Sequence, residues 1–482
     1  MRTFEIVVIA VILAVTAGII GMKPQRRLDA GMLLILLTAL GLHGGLEHVR
    51  IQMAPAYAAA LGLLMLLGFR LLRQNRRSRP RKSKRLWTSL LLAAVLLLSG
   101  ISVYASRLLP VFTLPEPTGH YAIGTVAREL TDENHDETKG PGGKRKLMIN
   151  VWYPADPAQT LGKPKEHYPS ALGEAISLVF GLPKQLFSHV TGIPTHVTGN
   201  VELSAEEASY PVLLFSPGIR STRFQSMSVI EELVSNGYVV VGIDHPYTSA
   251  KVTYTDGDSA YYEPDPEFGT SAELYNHNVK GIAIRAADAS FVMDTLEAWN
   301  AQDPDGLFQG RLDLSRAGIF GHSYGGATTA EALAQDPRFK AGVSLEGAFW
   351  GKVAKTGLKQ PFMYMMSGDI AQKLAQTGPQ TDPLLFEEFT PDLKSVMARS
   401  TADTYFLTVD HYIHQSFTDI ALLSPSLFAN GLDPVHAVDI SRSYVRAFFD
   451  QYLKDEPQAL LAGPAAAYPE VTFDPAYTHK RQ

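Results

Sequence analysis

The chain has 482 residues, with 43 Lys+Arg against 48 Asp+Glu and a formal net charge of −5. Residues 1–107 carry 15 Lys+Arg and 3 Asp+Glu, a net of +12, which leaves 28 and 45, a net of −17, for the remainder. A soluble part that acidic repels phosphate backbones and argues against nucleic acid as a partner, and the lack of any cysteine excludes disulfides, thiolate metal sites and a cysteine nucleophile.

Four apolar runs open the chain: Phe4–Met22, Ala30–His43, Ala54–Leu72 and Leu86–Tyr104. Three approach the ~20 residues that a membrane-spanning helix needs, and the second is shorter. A signal peptide competes for the first run, but three further runs behind it favour a multi-span anchor over residues 1–107. Lys23, Arg26 and Arg27 follow the first run. Arg70, Arg73, Arg76, Arg77, Arg79, Arg81, Lys82, Lys84 and Arg85 separate the third from the fourth. Excess positive charge marks cytoplasmic loops, so the N-terminus and everything after the fourth span are expected outside. Between two spans, the 73–85 run reads as a topological determinant rather than a nucleic-acid patch.

Prolines 110, 115 and 117 predict an extended linker over 108–119. A soluble domain is expected over 120–455, followed by a tail over 456–482. Strands are predicted at Ile123–Glu129 and Lys146–Tyr153, joined by a hairpin loop over Thr131–Lys146. Residues 157–209 have no clear periodicity and read as a variable insertion at the substrate entrance. From Pro211 onward strands and helices alternate. Val212–Phe215 is a buried strand, and Gln225–Ser235 is a helix stopped by Asn236-Gly237. Tyr238–Ile243 is a strand and His277–Trp299 a long helix. Strands follow at 317–320, Ala341–Leu345, Pro361–Met366 and Thr404–Val409, with a closing helix at Asp439–Leu453. This alternation predicts an α/β fold, a mostly parallel sheet covered by helices on both faces.

Within it, Gly321-His322-Ser323-Tyr324-Gly325-Gly326 lies between the strand 317–320 and the helix that begins at Ala327. A G-x-S-x-G pattern in that position is a nucleophile elbow. The glycines allow a tight turn, and the turn aims the Ser323 hydroxyl at the N–H groups of the following helix.

A serine hydroxyl needs an imidazole to take its proton. The histidines after Ser323 are His411, His414, His436 and His479. His411 and His414 directly follow a strand, where ligands collect in such sheets; His414 is the favoured base and His411 its alternative. Two carboxylates compete for the acid: Glu346 after the strand 341–345, and Asp369 after the strand 361–366. Position alone does not separate them. An oxyanion hole is expected from the Tyr324 N–H and from the loop Ser216-Pro217-Gly218-Ile219, where the Ile219 N–H is the natural donor.

Several segments together resemble the platelet-activating factor acetylhydrolases of the plasma, or type II, kind and their bacterial relatives. These are YPVLLFSPGI and LVSNGYVVVGIDHPYTSA within Tyr210–Ala250, the elbow GHSYGGAT, the run Asp336-Pro337-Arg338-Phe339, LEGAF and HQSFTD. The resemblance spans roughly 120–455 and implies an α/β-hydrolase that cleaves short or oxidised acyl esters, typically at the second glycerol position of phospholipids, without metal or other cofactor. It implies Ser323 as nucleophile and His414 as base, and it maps the family's acid to Glu346, where the family has Asp. Pro217 departs from the family's usual His in F-S-H-G. The expected function is therefore a membrane-anchored serine carboxylesterase acting on a small-molecule or lipid ester. The alternatives are a general short-chain or polyester esterase, and an inactive extracytoplasmic binding or sensor module.

Overall fold

A computed structural model describes residues 1–73, 84–376 and 392–480. The centre of the basic run between the third and fourth apolar segments, residues 74–83, lies outside the described residues. The chain divides into two compact units, Met1–Phe112 together with Gln185–His189, and Thr113–Lys184 with Val190–Gln482.

In the first unit, helices α1 (Thr3–Gly21), α2 (Arg26–Leu46), α3 (Ala54–Arg73) and α4 (Lys84–Leu108) pack side by side. At 1.5 Å per residue, nineteen or more residues reach about 28 Å, the thickness of a hydrocarbon layer. Among the described residues all four are long and apolar enough to cross a membrane. The second run, read as the short one, extends out to Arg26 at one end and Leu46 at the other and reaches 21 residues. Val8, Ile12, Leu36, Ala60 and Leu63 fill the interior of the unit, while Leu34, Leu72, Leu97 and Trp87 point outward. Polar contacts gather at the two ends. At one, Glu5 receives Arg50 through two bonds of 2.5 and 2.7 Å, and Arg50 also donates to the Leu109 carbonyl at 2.7 Å. At the other, Arg70 lies 3.5 Å from Asp29. The start of α1, the α2–α3 turn and the end of α4 therefore share one end of an up-and-down bundle.

In the second unit, ten of the described strands form one sheet in the order β12 (Val471–Phe473), β11 (Thr404–Val409), β10 (Phe362–Ser367), β9 (Phe339–Leu345), β8 (Leu312–His322), β4 (Tyr210–Ser216), β5 (Val239–Asp244), β2 (Lys144–Ala155), β1 (Ala122–Asp136) and β3 (Val197–Gly199). The central strands β4, β5, β8, β9, β10 and β11 are parallel. Every residue of β4, β5 and β10 is buried, as expected of strands covered on both faces. Helices α7 (Met227–Ser235), α8 (Ser271–Ala301), α9 (Tyr324–Gln335) and the closing helix Pro434–Leu453 supply that cover. Asn236 caps α7, and Gly237 takes the left-handed φ of 91°.

Three boundaries differ from the sequence reading. β1 and β2 run on through most of the stretch read as a hairpin loop, and ion pairs such as Lys144–Asp136 line that extension. The insertion 157–209 holds helices α5 (Pro157–Thr160) and α6 (Ser170–Phe180), a 3-10 stretch at Lys184–Gly192 and strand β3, which joins the sheet edge beside β1. The segment 456–482, read as a tail, contributes β12, antiparallel to β11. A strand of three residues carries too little periodicity to be seen in a sequence.

Candidate active site

β8 ends at His322, and α9 begins at Tyr324. Ser323 between them has φ 58° and ψ −123°, a strained conformation for a residue with a side chain. A Cβ on Gly325 would sit 1.9 Å from the Ser216 carbonyl oxygen, and one on Gly321 2.3 Å from the Gly325 oxygen. Only glycine lets strand, turn and helix approach this closely. The turn puts Ser323 at the positive end of α9.

Glu346 follows β9 with φ 55°, and its N–H bonds the Met365 carbonyl of the neighbouring strand at 2.9 Å. Its side chain is fully buried. One carboxylate oxygen accepts from the Ser367 N–H at 2.5 Å, and the other lies 2.6 Å from His414 Nδ1. With Nδ1–H donating to the carboxylate, His414 keeps Nε2 as an acceptor for a hydroxyl proton. Asp369 is elsewhere in its contacts: it sits in the first turn of α11 (Gly368–Gln376), half exposed, and pairs with Lys373 at 2.8 Å. His411 is exposed, and its carbonyl caps the Asn430 side chain.

The loop after β4 lies against the elbow, with the Cβ direction of Gly218 pointing to Ser323 Cβ at 3.4 Å. Ile219 and Tyr324, the two expected N–H donors, belong to one apolar cluster with Ile282, Ala348 and Trp350. Arg285 fastens this loop. Its Nη1 donates to the Pro217 carbonyl at 2.6 Å, its Nε and Nη2 reach Thr248 Oγ1, and its guanidinium lies 4.9 Å from the centre of the Tyr324 ring. Burial pulls the Arg285 pKa down to about 10, which leaves the cation intact at neutral pH.

A second serine–histidine–aspartate order lies beneath. His245 Nδ1 is 2.7 Å from Asp288, and Nε2 is 3.0 Å from Ser216 Oγ. Arg145 holds the same carboxylate through bonds of 2.5 and 2.7 Å. Burial, helped by the Arg285 charge, lowers the His245 pKa to about 4. Burial alone would push Asp288 up, but Arg145 holds it well below the usual carboxylate range. All three side chains are sealed from solvent, so the set pins the root of the Pro217–Ile219 loop and offers no nucleophile. In the sequence its one signal is a histidine placed directly after strand β5. Among the described residues, no group of three or more His, Cys, Asp and Glu could hold a metal ion.

The profile of the family described as platelet-activating factor acetylhydrolase, isoform II, matches residues 109–291 and 300–458. The chain belongs to this family. Its similarity extends to named relatives. Over 77% of this chain and 95% of its own length, the Arthroderma benhamiae protein named probable 1-alkyl-2-acetylglycerophosphocholine esterase is 23% identical. The Gallus gallus platelet-activating factor acetylhydrolase is 24% identical over 71% of this chain and 84% of its own. A solved ferulic acid esterase from Streptomyces cinnamoneus superposes with a TM-score of 0.59 at 24% identity, covering 76% of this chain and 99% of that one, which shows the shared α/β-hydrolase fold. Membership makes the chain an esterase of the acetylhydrolase kind, acting on acyl esters.

Proposed function

We propose that this protein is a membrane-anchored serine carboxylesterase that removes short or oxidised acyl groups, including those at the second glycerol position of phospholipids. Ser323 attacks the acyl carbonyl while His414 Nε2 takes its proton. The tetrahedral oxyanion is held by the Ile219 and Tyr324 N–H groups, and Glu346 keeps the His414 ring oriented and stabilises its cation. His414 then protonates the departing alcohol, and a water molecule repeats the steps on the acyl-serine to release the acid.

The observation that carries this reading is the 2.6 Å contact between His414 Nδ1 and buried Glu346, beside a strained serine at a helix N-terminus. The apolar side chains of Ile219, Ala348 and Trp350 next to the elbow suit an acyl chain better than a charged one. A lipid-derived substrate also agrees with the names of the relatives and with four helices able to hold the enzyme at a bilayer. Those helices anchor the chain with its basic loops in the cytoplasm and the hydrolase domain outside.

The test is hydrolysis of p-nitrophenyl acetate by the full chain in detergent, alongside Ser323→Ala and matched acetyl and long-acyl phospholipids. Loss of turnover in Ser323→Ala with preference for the acetyl substrate is expected. Equal rates on long acyl chains would point to a general esterase, and no hydrolysis of any short ester would leave a binding module.

A further inference from the structure

Gln225 and His322 are buried, polar and unused by the mechanism above. Gln225 Oε1 accepts from the Gly218 N–H at 3.2 Å, and Gln225 Nε2 is 3.1 Å from His322 Nδ1. His322 Nε2 is 2.8 Å from the carbonyl oxygen of His414. The two ends of this chain of bonds fix its polarity. The Gly218 peptide can only donate, so the glutamine oxygen faces it and the amide NH2 faces His322. Nδ1 must then accept, Nε2 must carry the proton, and that proton meets a carbonyl that can only accept. Only neutral His322 in a single tautomer satisfies every member. Burial, reinforced by the nearby His414, lowers the His322 pKa well below its ordinary value and keeps it in that form.

The geometry points to Gln225 and His322 as positioning residues that tie the oxyanion loop to the loop of the base, so that Gly218-Ile219 and His414 are held at one spacing across Ser323. Gly218 immediately precedes one proposed oxyanion donor, and the His414 carbonyl belongs to the base itself. The His322 and His414 rings lie 4.6 Å apart, centre to centre. A second bond runs parallel: the Asp419 N–H, five residues after the base, donates to the Gln225 carbonyl at 3.0 Å. Because loss of the side-chain bridge frees two loops without removing a reacting group, it acts on turnover more than on substrate binding.

This inference rests on the proposed triad, and the experiment separates the two. kcat, KM and melting temperature are measured on p-nitrophenyl acetate for the full chain in detergent, as Gln225→Leu, His322→Phe and the double variant, with Ser323→Ala beside them. A kcat lowered about 10- to 100-fold with KM within about threefold is expected for each single variant. The double variant should be no worse than the poorer single one, since both cut the same chain. A folded Gln225→Leu protein with kcat within twofold of the parent overturns the bridge, as do losses that multiply in the double variant. If the leucine variant does not fold, Gln225→Asn keeps the amide but is one methylene too short to reach both partners, and it should show the same kcat-selective loss. Activity retained in Ser323→Ala would instead remove the triad, whatever the Gln225 variants do.

Discussion

Glu346 and His414 meet across the end of a strand to which neither belongs. Glu346 follows β9 and His414 follows β11, and β10 lies between them in the sheet. The carboxylate bridges that gap by accepting from the Ser367 N–H at the end of β10 while its second oxygen meets His414 Nδ1 at 2.6 Å, over 68 residues of sequence. The backbone at Glu346 is left-handed, φ 55°, where the chain leaves β9.

Glu346→Gln should lower kcat by about 10³- to 10⁴-fold, because an amide cannot hold the ring in the same tautomer or stabilise its cation. Asp369→Asn should stay within about twofold, since that carboxylate pairs with Lys373 at the surface. Steady-state kinetics on p-nitrophenyl acetate distinguishes them, and the opposite pattern would assign the acid to Asp369.

Gly325→Ala should fail by folding rather than by chemistry. The added methyl would sit 1.9 Å from the Ser216 oxygen, in backbone that cannot yield without moving the elbow. A loss of more than about 3 kcal/mol is expected, read as a sharply lower melting temperature. A melting temperature unchanged from the parent would sink the steric argument.

Arg285→Met should reduce kcat/KM about 10- to 100-fold by freeing the Pro217 carbonyl and leaving Thr248 without its cation. Arg285→Lys should recover little, because one ammonium cannot reproduce the planar fork that bonds both partners and covers the Tyr324 ring. Full rescue by lysine would show that charge alone matters there.

His245 gives a pH signature. Its pKa falls from 6.5 to about 4 on folding, so between those values the unfolded chain binds the proton and the folded one does not. The stability contributed by neutral His245 is therefore present above pH 6.5 and lost as pH falls toward 4, by about 3 kcal/mol at most. Asp419, raised to about 6 by burial, changes in the opposite sense over part of that range, which makes the parent curve alone uninformative. The gap in melting temperature between the parent and His245→Gln cancels Asp419 and should narrow on acidification from pH 7 to 4.5. A gap that stays constant would mean that His245 does not titrate.

Reporter domains fused after Arg85 and after Arg107 should give cytoplasmic and extracytoplasmic signals respectively, as the basic loops require. Equal cytoplasmic signals from both would place the hydrolase domain inside.

The sequence by itself determined the chemistry on offer and its place in the fold. A glycine-flanked serine between a buried strand and a helix constrains the backbone locally, and the apolar lengths of α1, α3 and α4 follow from composition alone. Strand alternation from Pro211 onward was legible because strands buried on both faces are continuous apolar runs. Tertiary structure decided what depends on adjacency between distant segments. Glu346 and Asp369 end neighbouring strands and look equivalent in sequence; the turn at Glu346 and the order of the strands put only one of them against His414. Gln225 and His322 are 97 residues apart, and Ser216, His245 and Asp288 span three separate elements. None of these pairs leaves a periodic or spaced pattern, because a side-chain hydrogen bond depends on which strands the sheet brings together, and that order is set by packing of the whole domain.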